Sequence, residues 1–201
     1  MKKIPTLFKR EFANHTIVRT LPIVTRGYEW VLHGDGYPTV KMDGACCAII
    51  DGKFYKRYDA KSGKTPLPGA IPCCKPDPVT GHWPHWLPVD EKDPANRWYM
   101  AAYRNSLPLA DGTYEAIGLH FQGNPYHMNS DLLEPHGCRI IQDLDCSFLG
   151  IQKYLTEHQI EGIVFWKDGQ PQCKIKRSDF GLPWGNKTKH KKETGKHERK
   201  E

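Results

Sequence analysis

Residues 39–44 form the stretch TVKMDG. It carries the pattern Lys-x-Asp-Gly directly before an apolar run, Ala45–Ile50, that is typical of a β-strand. A lysine amine is a nucleophile only in its neutral form, and its ordinary pKa is near 10.4. Lowering that pKa by about 3 requires roughly 4 kcal/mol of destabilisation of the ammonium, which neighbouring cations or a divalent metal supply. Lys41 is therefore a candidate covalent nucleophile.

Asp-Gly dipeptides predict where the strands of this chain turn back. They lie at residues 35–36, 43–44, 51–52, 111–112 and 168–169. Asp-Gly tolerates the positive φ angles of tight turns. The dipeptide at 51–52 predicts a hairpin between Ala45–Ile50 and Lys53–Tyr58. The dipeptide at 111–112 predicts that a strand follows over Thr113–Phe121.

The region after residue 146 predicts a helix followed by a second hairpin. Ser147 is a suitable N-cap, and the apolar side chains after it share one helical face: Phe148, Ile151, Tyr154 and Leu155. The hairpin joins Ile163–Trp166 to Gln172–Ile175, with Pro171 at a sheet edge or a bulge. A weaker helical pattern lies near Ala95–Ser106. Strands predominate, so we expect an α+β fold with mostly antiparallel sheets and interspersed helices.

Composition and charge divide the chain into a body and a tail. The 201 residues are 38% hydrophobic and 26% charged, which suits one ordinary domain with a buried core. The formal charge of +6 is uneven, because residues 1–19 and 185–201 carry +4 each and leave −2 on residues 20–184. We expect a domain over residues 1–184, with a proline-rich insertion near 66–94 that reads as a long ordered loop, and a basic flexible tail over 185–201.

Cysteine use and hydropathy predict a protein of a reducing compartment. The seven cysteines include the adjacent pairs Cys46-Cys47 and Cys73-Cys74, and a disulfide within such a pair is strained. No run approaches 18 apolar residues, and the first residues lack the pattern of a secretory signal. We therefore expect a cytoplasmic location with reduced thiols, no membrane partner and a monomer.

Charged residues in later strand-like runs complete a set with the candidate nucleophile. Arg57 lies in the first hairpin, Glu115 lies in TYEAIG at residues 113–118, and Glu161 opens EGIVFW at residues 161–166. An unpaired carboxylate in an apolar run costs several kcal/mol, so both glutamates are expected to have partners. Residues two apart in a strand share a face, so Lys174 and Lys176 can point into one pocket.

In this order, the motifs resemble the covalent nucleotidyltransferase superfamily of ligases and capping enzymes, and within it the 5′-to-3′ RNA ligase family of animal cells. The matching stretches are KMDGACC (41–47), GNPY (123–126), PHG (135–137), EGIV (161–164), GLPW (181–184) and the insertion-like GHWPHWLPV (81–89). The resemblance covers roughly residues 35–184. It implies a nucleotidyltransferase (adenylation) domain, and we expect no OB-fold domain after it.

The resemblance implies an ATP-dependent RNA ligase that joins an RNA 5′-phosphate end to a 3′-hydroxyl end. The catalytic residues would be Lys41, Lys174 and Lys176. Lys41 would hold AMP as a phosphoramidate, and the AMP would pass to the RNA 5′ end before the 3′-hydroxyl displaces it. The residues implied to contact the nucleotide are Val40, Lys41, Asp43, Arg57, Glu115, Glu161, Lys174 and Lys176. Mg²⁺ or Mn²⁺ would be held by Asp43, Glu115 and Glu161.

The remaining expectations concern the wall of the adenine site, His136, Cys46 and the turn at residues 123–126. The backbone around Val40 would read the edge of the base, and Phe121, Phe148 and Val164 are candidates for the apolar wall against it. His136 is interpreted as a packing or turn residue, and Cys46 as a small core residue. The turn chemistry of Asn-Pro-Tyr favours a structural turn over a contact site at residues 123–126.

Three alternative functions remain open. A GTP-dependent mRNA-capping guanylyltransferase uses the same lysine chemistry with a different nucleotide. A DNA ligase is disfavoured, because Cys46 stands where those enzymes usually carry arginine. A non-catalytic RNA-binding module of the same fold would keep the basic residues and form no covalent intermediate.

Overall fold

The protein is described by a computed structural model over residues 3–14 and 16–185. In this part of the chain the strands are β1 (Phe8–Ala13), β2 (Thr16–Val24), β3 (Tyr37–Lys41), β4 (Ala45–Ile50), β5 (Lys53–Asp59), β6 (Ile71–Pro72), β7 (Pro84–Pro88), β8 (Gly112–Ile117), β9 (Leu132–Pro135), β10 (Gly162–Lys167) and β11 (Gln170–Lys176). The α-helices are α1 (Arg97–Asn105) and α2 (Phe148–Glu157). Short 3-10 helices cover Glu29–His33, Pro94–Asn96 and Arg177–Phe180.

The described strands form three sheets. One has three strands in the order β11-β10-β3, one has six in the order β6-β7-β5-β4-β8-β9, and β1 pairs with β2 alone. Every strand pairing within these sheets is antiparallel. The expected α+β fold with mostly antiparallel sheets and few helices is therefore confirmed.

Each of the two larger sheets packs against one helix. Helix α2 buries Ile151 and Leu155 against Phe165 of β10 and Ile175 of β11. Helix α1 buries Ala102 in a second cluster, together with side chains of β4, β5, β8 and β9. Burial of apolar side chains contributes about 1.5–3 kcal/mol for each large residue, so the two clusters hold each helix to its sheet.

The stretch TVKMDG crosses from one large sheet to the other. Lys41 is the last residue of β3 in the three-stranded sheet, and Ala45 is the first residue of β4 in the six-stranded sheet. Residues 42–44 are thus the connection between the sheets. The candidate nucleophile stands where one sheet ends and the other begins.

The helix at Ser147 forms as its pattern predicts. The Ser147 hydroxyl accepts a hydrogen bond from the Gly150 N–H at 3.0 Å, which satisfies one free donor of the first turn. Ile151 and Leu155 are buried, as their helical spacing requires. The weaker pattern near Ala95–Ser106 is also confirmed, by α1 and the short 3-10 helix before it.

The two predicted hairpins are present as β4–β5 and β10–β11. Pro171 lies on β11, an edge strand of its sheet, opposite a register shift between Phe165 and Trp166. Pro171 therefore lies both at a sheet edge and beside a bulge, the two positions that the sequence predicts as alternatives. Proline has no N–H to donate, and an edge strand at a bulge tolerates this loss.

One predicted strand boundary and one predicted loop are wrong. The strand expected over Thr113–Phe121 ends at Ile117, because Gly118 adopts a φ of 128° that leaves the strand conformation. The proline-rich segment 66–94 is not a loop throughout, since β6 and β7 within it extend the six-stranded sheet from β5. The prolines are tolerated there because β6 is an edge strand and the prolines of β7 are its first and last residues, Pro84 and Pro88.

The sequence interpretation missed the β1–β2 hairpin and β3. Most of β1 and β2 is exposed or half-buried, so their side chains lack the clear alternation that identifies a strand. The predicted basic tail falls, except for Gly185, outside the described residues. Within the described residues no helix is long and apolar enough to cross a membrane.

Gly44 allows β4 to approach β8 closely. A Cβ at this position would meet the Ala116 carbonyl oxygen, and it would lie 2.8 Å from Ile117 Cγ2 and 2.9 Å from Glu115 Cγ. Two of these neighbours are backbone or short branched atoms that move only with the strand. The Gly44→Ala variant is therefore expected to lose about 1–3 kcal/mol of stability, which lowers its melting temperature by roughly 2–10 °C.

Thermal unfolding followed by circular dichroism measures this loss, with Gly112→Ala as the matched control. At Gly112 the nearest atom to an added Cβ is Tyr114 Cε2 at 3.7 Å, an ordinary contact. The control should unfold within about 2 °C of the wild type, since a change without a clash costs less than about 0.5 kcal/mol. Equal melting temperatures for the two variants would contradict the close packing at Gly44.

Candidate active site

A buried carboxylate joins the two strand ends that carry Lys41 and Lys176. Gly162 pairs with Lys41 of β3 on one side and with Lys176 of β11 on the other. Glu161 is the residue before Gly162, so its side chain lies between the ends of the two outer strands. Lys41 Nζ donates to Glu161 Oε2 at 2.5 Å, and Lys176 Nζ donates to Glu161 Oε1 at 2.8 Å. The Glu161 side chain is only 7% exposed, so this double pairing compensates a buried charge.

Lys174 adds a third amine to this side of the sheet. It lies two residues before Lys176 on β11 and lines the same cavity as Lys41. The pKa of Lys174 is lowered to about 8, first by burial and then by the positive charges of Lys176 and Lys41. Because this ammonium is destabilised in the free protein, an anion bound beside it would be strongly favoured.

A cavity of about 170 Å³ lies between the two larger sheets. The three-stranded sheet contributes Lys41, Lys174 and the apolar pair Val40 and Val164. The six-stranded sheet contributes Arg57 from β5 and Glu115 from β8. The structure therefore brings together five of the residues predicted from the sequence as nucleotide contacts: Val40, Lys41, Arg57, Glu115 and Lys174.

Glu115 is held by donors from two elements. Its Oε1 accepts a hydrogen bond from the Gly44 N–H at 3.1 Å, and its Oε2 lies 2.8 Å from His136 Nε2. Cys46 stands opposite Glu115 in the β4–β8 register, and both Cys46 and His136 line the cavity. Sequence reasoning missed these two residues as parts of the site. The signal for Cys46 was its position two residues after Gly44, which the strand period places on the same face as the turn's glycine.

Asp43 is fixed by two aromatic side chains rather than by a cation. Trp184 Nε1 donates to Asp43 Oδ2 at 2.8 Å, and the Asp43 N–H donates to the Tyr126 hydroxyl at 2.6 Å. Burial raises the pKa of Tyr126 well above its ordinary value, so this hydroxyl stays neutral. Residues 123–126 form a turn, as the sequence predicts, and the turn also places Tyr126 against the Lys-x-Asp-Gly motif.

The structure does not bring the three predicted metal ligands together as one set. Glu161 is engaged by two lysines, Glu115 by His136 and Gly44, and Asp43 by Trp184. Within residues 3–14 and 16–185, the one group of three potential ligands whose donor atoms lie within 4.8 Å of one another is Cys46, Glu115 and His136. Binding of a metal by Asp43, Glu115 and Glu161 therefore remains a prediction that needs side-chain rearrangement.

The candidates for the adenine wall are corrected by their packing. Phe148 lies in the core of the three-stranded sheet, with its ring 5.0 Å from that of Phe8. Phe121 packs in the other core, 5.4 Å from Tyr99. Val164 is the one of the three candidates that lines the cavity. The Val40 N–H donates to the Arg139 carbonyl at 2.9 Å, so this group already has a partner.

Known proteins with a similar sequence have one name in common. No protein-family model matches the chain. RNA ligase 1 of Danio rerio is 31% identical over 137 residues, covering 52% of this chain and 42% of that protein. The chain is related to RNA ligases. RNA ligase 1 of Pongo abelii is 23% identical over 249 residues, covering 88% of this chain and 76% of that protein. RNA ligase 1 of Rattus norvegicus is 25% identical over 232 residues, covering 78% of this chain and 71% of that protein.

The low pKa of Lys174 predicts a stability cost that depends on pH. Below a pH of about 8 this lysine is charged in both the folded and the unfolded chain, so the full cost of a charged amine in this cavity is present. The cost is relieved as the pH rises from about 8 through the ordinary pKa of 10.5, above which the amine is neutral in both states. Lys174→Met, which replaces the lysine with an unbranched, uncharged side chain one atom shorter, should therefore melt at a higher temperature than the wild type at pH 7.

Melting temperatures measured between pH 7 and pH 10.5 check this prediction. The difference between Lys174→Met and the wild type should narrow as the pH rises. Lys53→Met, at an exposed position at the start of β5, is the control and should show no such trend. A constant difference, or a less stable Lys174→Met at pH 7, would contradict the assigned environment of Lys174.

Proposed function

We propose that this chain is an ATP-dependent RNA ligase that joins RNA 5′-phosphate and 3′-hydroxyl ends through a lysyl-AMP intermediate. The observation that carries the proposal is the position of Lys41, which shares the Glu161 carboxylate with Lys176 and a cavity with Lys174 and Arg57. The relationship to proteins named RNA ligase 1 supports RNA as the substrate.

In the first step, Lys41 Nζ attacks the α-phosphorus of ATP. The new bond joins nitrogen to phosphorus, and the bond from that phosphorus to the bridging oxygen breaks, so the electron pair leaves with pyrophosphate. Attack needs a neutral amine, and Glu161 already accepts a hydrogen bond from Lys41 at 2.5 Å. Glu161 is therefore positioned to take the proton as the amine turns toward phosphorus.

Cations placed in advance would stabilise the charge that develops on the phosphoryl oxygens. Lys174 and Arg57 line the cavity beside Lys41, and Lys176 stays tied to Glu161 when Lys41 leaves it. Such fixed charges are effective because they need no reorganisation during the reaction. Val40 and Val164 supply apolar surface for the adenine ring.

The second and third steps reuse the same cavity. An oxygen of the RNA 5′-phosphate attacks the phosphorus of the lysyl-AMP and the phosphorus–nitrogen bond breaks. The leaving nitrogen takes back the proton held by Glu161, so Lys41 is regenerated as an amine. The 3′-hydroxyl of the other end then attacks the RNA 5′-phosphorus, and AMP leaves. In each displacement the attacking and leaving atoms lie on opposite sides of the phosphorus.

Mg²⁺ or Mn²⁺ would add positive charge near the α-phosphate. The donors that suit such a hard cation here are the carboxylate oxygens of Glu161, Glu115 and Asp43. All three carboxylates accept hydrogen bonds from protein groups, so metal binding would exchange some of those contacts for metal–oxygen bonds.

Labelling with α-³²P nucleotides tests the proposal. ATP with Mg²⁺ should label the wild-type protein, and Lys41→Ala should remove the label because the amine that bonds to phosphorus is gone. Lys53→Ala, an exposed lysine on β5, is the matched control and should be labelled like the wild type. Label from GTP alone would identify a guanylyltransferase, and no label from either nucleotide would favour a non-catalytic RNA-binding module.

A chain shortened to residues 1–185 should form the same lysyl-AMP at a rate within about twofold of the full chain. All the residues assigned to the nucleotide lie at or before Lys176, and Trp184, which holds Asp43, is retained. Rates of AMP incorporation measure the comparison. Loss of labelling in the shortened chain, with an unchanged circular dichroism spectrum, would contradict the separation of the catalytic domain from residues 186–201.

A further inference from the structure

A second cavity, of about 550 Å³, adjoins the candidate nucleotide cavity. The two share Lys3, Arg57 and Lys174 as lining residues, so they are neighbouring compartments separated by these side chains. The outer wall of the second cavity comes from the proline-rich segment, which contributes Lys75 and Asp77. Lys75 does not line the nucleotide cavity, so it belongs to the outer end of the joined space.

The second cavity carries an excess of cations without protein partners. Within the described part of the chain, Lys3, Arg57, Lys75 and Lys174 form no ion pair with a carboxylate. Like charges that gather around one cavity destabilise each other unless an anion neutralises them. The cavity is therefore built to favour a ligand with more than one negative charge.

The two carboxylates that line this cavity offset only part of the charge of its four cations, and both are held in place by other groups. Asp59 lies 2.5 Å from His82 Nδ1 and accepts from the Trp83 N–H at 2.8 Å. Asp77 accepts from the N–H groups of Val79 and Thr80, both at 2.9 Å. Their hydrogen bonds fix the loop that carries Lys75, and the four lysine and arginine side chains still exceed the two carboxylates, which leaves positive charge for a ligand.

The geometry of phosphoryl transfer indicates which anion belongs beside the nucleotide cavity. In-line displacement at the AMP phosphorus puts the entering group opposite Lys41. Pyrophosphate leaves along this direction in the first step, and the RNA 5′-phosphate enters along it in the second. Both are phosphates, but pyrophosphate ends after two phosphorus atoms, whereas an RNA strand continues. Lys75, at the outer end, suits the continuing strand.

We propose that this cavity, walled by the segment carrying Lys75, binds the 5′-phosphate end of the RNA strand. Lys3, Arg57 and Lys174 meet the terminal phosphate, and Lys75 meets the next phosphate along the strand. The assignment rests on the proposed function, since it names the place of the RNA end in the second step. It gives the insertion a role in capturing the substrate.

The experiment separates AMP transfer to RNA from AMP loading on the protein. Wild-type protein and Lys75→Glu are first loaded with labelled AMP, and the rate of loading is measured. A 5′-phosphorylated oligoribonucleotide is then added, and transfer of AMP to the RNA is followed. Lys75 is exposed, so the substitution leaves the core unchanged. Lys53→Glu makes the same charge change on β5, away from both cavities, and is the control.

We expect Lys75→Glu to slow AMP transfer to RNA by about tenfold, because one charge-assisted phosphate contact is replaced by repulsion. Its loading rate and all the rates of Lys53→Glu should stay within about twofold of the wild type. The conservative variant Lys75→Arg, which keeps the positive charge, should transfer AMP to RNA at about the wild-type rate. Equal slowing of loading and transfer would assign the cavity to the phosphates of ATP and overturn the proposal. Unchanged transfer in Lys75→Glu would overturn it as well.

Direct binding makes the test independent of the ligase activity. Fluorescence anisotropy with labelled RNA should give tighter binding for a 5′-phosphate end than for a 5′-hydroxyl end, and Lys75→Glu should reduce that preference. The preference should weaken with added salt, as phosphate contacts do. If the wild type formed no lysyl-AMP but kept this preference, the proposed function would fail and the RNA subsite would stand. Equal binding of the two RNAs by the wild type would reject the subsite.

Discussion

One buried carboxylate, that of Glu161, organises the candidate site. It accepts hydrogen bonds from Lys41 at 2.5 Å and from Lys176 at 2.8 Å, so it joins the ends of β3 and β11 across β10. The antiparallel register makes this possible, because Gly162 is paired with both lysines. A charge at this depth is tolerated only when it is paired. The same pairing keeps the nucleophile within reach of a proton acceptor.

The space for a substrate follows from the way the chain leaves β3. Three residues connect the three-stranded sheet to the six-stranded sheet, and the cavity opens between the sheets on either side of that connection. Gly44 brings β4 close to β8 and donates its N–H to Glu115, while Trp184 holds Asp43. The cations of one sheet thereby face Arg57 of the other. Neither sheet alone would form this site.

Local signals in the sequence predicted the elements they specify directly. The cap at Ser147 and the Asp-Gly turns are properties of a few adjacent residues, and they predicted α2 and the two hairpins. Contacts between distant segments carry no such signal. The pairing of His136 with Glu115 depends on the β8–β9 register, and β7 depends on pairing with β5 and β6, which is compatible with prolines at its two ends. Phe121 and Phe148 were candidates for the adenine wall because apolar type alone does not distinguish a core side chain from a cavity wall.

Peptide mapping tests whether Lys41 forms a covalent bond with AMP. After incubation with ATP and Mg²⁺, the protein would be digested and the AMP-bearing peptide sequenced by tandem mass spectrometry. We expect one AMP on Lys41, joined by a phosphorus–nitrogen bond that is labile in acid and stable in alkali. AMP on another residue, or a modification that resists acid, would contradict it.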